Sequence, residues 1–183
     1  MHKRILLLLF ALPAAAFAQR SDSVRAPAIR SGAVELGIAG SLTAVEGLAR
    51  VSLMLRAGTF RSIGGLLSGA EVEAGYSYTN ALGAVDLQGS ISLTGAAGGG
   101  IVWPYVAIAG GIRQEWLGSF SQVRYPIGCD IGMRLLLSDG AAVRTGYRFR
   151  RVLNDPVSTY SEHQILLGIS LLVENTPNAT SGE

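Results

Sequence analysis

The chain has 183 residues, of which 49% are apolar, 15% charged and 24 glycine, with a formal net charge of +2. That length holds one ordinary domain, and so apolar a composition excludes a disordered chain. The single cysteine, Cys129, excludes a small fold stapled by internal disulfides.

Residues 1–18 read as a cleaved secretory signal peptide. His2, Lys3 and Arg4 precede an apolar run over 5–15, and Ala16-Phe17-Ala18 supplies a small-x-small site before Gln19. The run is too short for an anchor, no cysteine follows for lipid attachment, and no later run is long enough for a helical span. Losing Lys3 and Arg4 leaves thirteen arginines against thirteen acids, so the mature chain is formally neutral and no nucleic-acid partner is expected.

Eight stretches of strict period-two alternation follow, over 34–44, 49–60, 66–78, 83–94, 102–116, 123–137, 141–149 and 161–173. Successive side chains of a strand point to opposite sides, so each stretch predicts a strand with one apolar and one polar face. The first sets Leu36, Ile38 and Leu42 against Glu35, Ser41 and Thr43. The last sets Ile165, Leu167, Ile169 and Leu171 against Glu162, Gln164 and Ser170. Turn chemistry separates them: Val45-Glu46-Gly47, Asn80-Ala81-Leu82-Gly83, Gly98-Gly99-Gly100, Ser138-Asp139-Gly140 and Asn154-Asp155-Pro156. A three-residue Ser138-Asp139-Gly140 loop with Gly at its third position fits a type I turn closed by a bulge, and places Leu137 beside Ala141, Asp130 beside Arg148 and Arg134 beside Arg144. No helical period appears after residue 18. The fold class is all-β, eight antiparallel strands running up and down.

Periodicity alone does not say which face meets water. A soluble calyx lines its interior with the apolar face; a transmembrane barrel turns that face to lipid. No charge falls on the apolar face of any predicted stretch, which both readings require. The aromatics separate them. Tyr76, Tyr78, Trp116, Tyr125, Tyr147 and Phe149 share the apolar face and, with up-and-down connectivity, one end of the strands. That is an interfacial girdle, where amphipathic rings favour the headgroup level. Strands of about 10 residues also suffice to cross a bilayer when tilted. The reading is an eight-stranded transmembrane β-barrel over 32–173, with 19–31 a short periplasmic segment and 174–183 a flexible periplasmic tail.

The polar faces then point into the lumen, carrying Arg50, Arg56, Arg113, Arg124, Arg134, Arg144, Arg148 and Arg150 with Glu35, Glu71, Glu73, Asp86, Glu115, Asp130 and Glu162. Near balance predicts a mutually neutralised plug, since eight strands leave little more than side-chain space. The alternative is a narrow channel with Arg113, Arg124, Arg148 and Arg150 as an anion-attracting mouth. A lipid-modifying enzyme would need His163, the one histidine of the mature chain; Ser161 shares its face, but Ile165 stands where a serine two residues on would be needed. Cys129 reads as a small lipid-facing hydrophobe, and no metal, phosphate-loop or cofactor motif is present.

The segment Trp103-Pro104-Tyr105-Val106-Ala107-Ile108-Ala109-Gly110-Gly111, the 135–140 hairpin Leu-Leu-Leu-Ser-Asp-Gly and the closing strand over 160–170 resemble the OmpA/OmpX-like, opacity-type outer-membrane barrels. The resemblance covers about residues 32–173. It implies a monomeric bacterial outer-membrane protein that contacts lipid and lipopolysaccharide and is inserted by the barrel-assembly machinery. It names no catalytic, cofactor or metal residue. One departure is that Val173 is followed by a ten-residue tail, where such barrels end in an aromatic residue that assists assembly. The role expected is non-enzymatic: envelope structure, or surface interaction through short loops near 43–48, 79–83, 115–122 and 153–160.

Overall fold

The computed structural model describes residues 28–45, 48–79, 82–153 and 159–174. The expected signal peptide, the 154–158 loop and the tail beyond 174 lie outside these residues. Eight strands form in order: β1 (Val34–Val45), β2 (Leu48–Ile63), β3 (Leu66–Tyr78), β4 (Leu82–Thr94), β5 (Val102–Leu117), β6 (Phe120–Ser138), β7 (Ala141–Leu153) and β8 (Tyr160–Val173). Each pairs antiparallel with its neighbour in sequence, and β1 pairs with β8 to close the barrel. Closure leaves no sheet edge, so every strand has a partner on both sides, as a bilayer demands.

The strands are longer than the minimum for crossing, from 12 residues in β1 to 19 in β6. Tight turns account for this. Gly64 and Gly65 lie at φ 55° and 85°, the left-handed pair that a two-residue hairpin turn needs. Gly118-Ser119 joins β5 to β6, so most of the expected 115–122 loop is strand. The longer strands also put Arg61 and Arg151 on the outer face, one at each end of the barrel, where the shorter predicted stretches carried no charge.

The β6–β7 register sets Asp130 against Arg148 and Arg134 against Arg144, as expected. The expected turn is corrected. The register shifts between Leu136 and Ser138, so Leu137 does not face Ala141; Ser138 does. Gly140 is not among the glycines at positive φ. Its N–H donates to Ser138 Oγ at 3.3 Å, and the extra residue is taken up as a bulge within β6 rather than by a left-handed glycine.

Which face lies inside is now visible. Ile108, Ile131 and Ile169 stand 68%, 60% and 62% exposed on the outside, while the charged face is buried. An apolar belt around the whole girth has no stable place in water, and a calyx would need the opposite arrangement. The molecule is a transmembrane barrel.

At the end where β1 begins and β8 finishes, the terminal end of the barrel, the inner face turns apolar. Phe60, Leu67, Trp103, Leu136, Ala142 and Leu172 form a buried cluster. Residues 28–33 cross beneath it: Ile29 and Ala33 are buried in the same cluster, Gly32 N–H donates to Phe60 O at 2.7 Å, and Arg30 pairs with Glu174 at 2.7 Å.

Candidate functional site

All fifteen residues expected in the lumen are buried there. Register alone would make this unfavourable, because it opposes Arg134 to Arg144 and Arg113 to Arg124 on neighbouring strands. Carboxylates remove both conflicts: Glu71 from across the lumen for the first, and for the second Glu115, on the same strand as Arg113, with Glu162 from across.

Nearer the termini, Glu71 of β3 takes Arg134 Nη2 on one oxygen at 2.6 Å and Arg144 Nη1 on the other at 2.5 Å. Arg134 Nε also donates to Glu35 at 3.0 Å, and Ser170 Oγ donates to the remaining Glu35 oxygen at 2.6 Å. Tyr105 lies between the two arginines, with their guanidinium carbons 4.7 Å and 4.2 Å from its ring centre. The ring face offers partial negative charge to both cations. Its space comes from Gly132 and Gly146, where an added Cβ would sit 2.8 Å and 2.7 Å from the Tyr105 hydroxyl. The network continues through Arg56–Glu73 at 2.7 Å, Arg148–Glu73 at 2.6 Å, Arg148–Asp130 at 3.1 Å and Arg150–Asp130 at 2.6 Å.

A second cluster fills the other half. Arg113 donates to Glu162 at 2.5 Å and to Asp86 at 2.6 Å. Arg124 pairs with Glu115 at 2.7 Å and Arg50 with Glu162 at 3.3 Å. The Tyr160 hydroxyl donates to Glu115 at 2.7 Å. Guanidinium is suited to this work because its planar fork serves several carboxylates while staying charged. Between the clusters lies a cavity of about 10 Å³ edged by Thr43, Gln88 and Gln164, room for one water at most. The proposed anion mouth does not form. Arg113, Arg124, Arg148 and Arg150 are each buried against a carboxylate.

The six girdle aromatics stand on the outer face toward the end opposite the termini. Tyr76 and Trp116 lie with ring centres 6.1 Å apart. Trp116 covers Gly83, where an added Cβ would come within 2.4 Å of the indole. Glycine is required there by close approach. His163 sits in the same belt, hydrogen-bonded through Nδ1 to the Tyr147 hydroxyl and 5.4 Å from the Phe149 ring. Ser161 accepts a hydrogen bond from Arg151 at 3.0 Å, and Glu162 points inward to Arg113. Serine, histidine and carboxylate therefore face three different partners and form no relay. Cys129 is exposed on the outer face, and among the described residues no group of His, Cys, Asp or Glu is placed to hold a metal.

No family model and no curated protein matches the sequence. Solved structures do match the fold. Neisserial surface protein A superposes with a TM-score of 0.55 at 15% identity, over 76% of this chain and 95% of that one. The fold is that of the small outer-membrane barrels. The outer membrane enzyme PagL follows at 0.53 and 12%, over 75% and 99%. The N-terminal barrel domain of Pseudomonas aeruginosa OprF gives 0.52 and 12%, over 78% and 98%. A surface protein and an enzyme share this architecture, so the barrel by itself assigns no activity.

Sequence reasoning missed Tyr105 and the bridging role of Glu71. A signal for Tyr105 existed: it is an aromatic on the polar face of β5, level with glycines on the polar faces of β6 and β7.

Proposed function

We propose that the chain is exported by its N-terminal signal and resides in the bacterial outer membrane, termini toward the periplasm, as a non-conducting, non-enzymatic barrel. Its role is structural in the envelope, or one of surface contact through its short loops. The observation that carries this reading is the doubly closed lumen: ion pairs fill its length, and Ile29 with the apolar cluster seals the terminal end. A channel needs a hydrated path, and an enzyme needs a nucleophile or activated water beside a free base. Beside His163 stands the Tyr147 hydroxyl, while Ser161 and Glu162 are bonded to Arg151 and Arg113 rather than to the imidazole.

The experiment is expression with membrane fractionation, heat-modifiable gel migration and mass spectrometry of lipid A. The protein is expected in the outer-membrane fraction, migrating differently before and after boiling, with lipid A unchanged. Loss of an acyl chain that disappears in His163→Ala would refute the non-enzymatic reading.

A further inference from the structure

Among the described residues, the outer strand faces carry two charges, Arg61 and Arg151, at opposite ends of the barrel. Arg151 donates to Ser161. Arg61 has no hydrogen-bond or ion-pair partner among the described residues and is exposed. It stands at the edge of a recess of about 580 Å³ between the 28–33 segment and the β2–β3 hairpin. Ser31, Thr59 and Ser68 add hydroxyls to its lining, Ala70 closes the side toward the middle of the membrane, and no carboxylate is present. Ser31 Oγ is fixed by the Ser62 N–H at 3.1 Å.

A lone cation on a lipid-facing surface is tolerated at the headgroup level, where phosphate can meet it. The lining here is rich in donors and lacks an acid, so a headgroup ammonium would find no counter-charge. An anionic phosphodiester finds a guanidinium and hydroxyls. Val72, 59% exposed one step beyond Ala70 on the same face, continues the apolar track that an acyl chain would follow. We infer that this recess is a binding site for an anionic glycerophospholipid of the phosphatidylglycerol type, with Arg61 on the phosphate. The inference rests on the membrane placement proposed above.

The test is native mass spectrometry of the full mature chain, refolded in micelles holding equal phosphatidylglycerol and phosphatidylcholine. Phosphatidylglycerol should be retained preferentially. Arg61→Gln should lower that preference roughly five-fold, the worth of one basic side chain at a phosphate surface. Ser68→Leu, which fills the recess but keeps the cation, should lower it as well. Arg151→Gln should leave it unchanged, and inorganic phosphate should not displace the lipid. An equal ratio in wild type and Arg61→Gln, an equal fall in Arg151→Gln, or displacement by inorganic phosphate would each overturn the site. Heat-modifiable migration of each sample separates the two failures: a chain that never folds in micelles refutes the membrane placement, whereas a folded barrel without preference refutes only the lipid site.

Discussion

Replacing Glu71 by Gln removes the carboxylate that holds both Arg134 and Arg144, which oppose each other on neighbouring strands. Arg134 keeps Glu35 at 3.0 Å. Arg144 keeps no carboxylate among the described residues, because its ion pair is with Glu71 alone. Both cations would still flank Tyr105, without the charge that reconciles them. Leaving one member of a buried pair uncompensated costs about 3–5 kcal/mol. With a urea dependence of about 2 kcal/mol per molar, the unfolding midpoint should fall by roughly 2 M. The assay is urea unfolding of the barrel in lipid vesicles, followed by tryptophan fluorescence, with Asp139→Asn as control. Asp139 is an exposed turn residue, and its substitution should move stability by less than about 0.5 kcal/mol. Adding Arg144→Met to Glu71→Gln should restore part of the loss, since it removes the stranded charge. Equal midpoints for Glu71→Gln and Asp139→Asn would refute the reasoning.

Two further outcomes follow from the same geometry. Asp130→Asn should also destabilise by about 3 kcal/mol, because it strands Arg150, which has no other ion-pair partner among the described residues; Arg150→Met in the same chain should recover part of it, while Arg148 stays held by Glu73 at 2.6 Å. Ile131→Arg should block insertion into vesicles, at about 2–4 kcal/mol for a cation on the lipid face, whereas Ser90→Arg, which points inward beside Glu71, should still insert; equal insertion of both would contradict the assigned faces.

Alternation made the fold legible. Every lumen residue named from the sequence is inside, because one rule of side-chain direction governs all eight strands. Strand ends were not legible, since composition at the rims does not tell a tight turn from a loop; Gly118-Ser119 and Gly64-Gly65 are short enough to let hydrogen bonding continue past the apolar stretch. Cross-strand neighbours such as Asp130 and Arg148 could be paired from the hairpin. Contacts across the lumen could not. Glu71 meets Arg134 and Arg144 only after strand tilt and stagger bring β3 opposite β6 and β7, and no local pattern encodes that stagger. Arg150 is a different case: it is the diagonal neighbour of Asp130 on β7, so the register offers its 2.6 Å contact, which the pairing with Arg148 alone passed over. Gln88 illustrates the cross-lumen limit. It reads as a neutral inward position, but it accepts from Arg150 at 3.1 Å, so a cation there would face another.

Paired charge and an apolar base close the lumen from end to end. Single-channel recording in a planar bilayer, with the barrel inserted and its fold verified by heat-modifiable migration, tests this most directly. A lumen so filled should give no conductance steps above the bare bilayer for the wild type. Stable, reproducible steps from the folded wild-type protein would show an open hydrated path and contradict that closure.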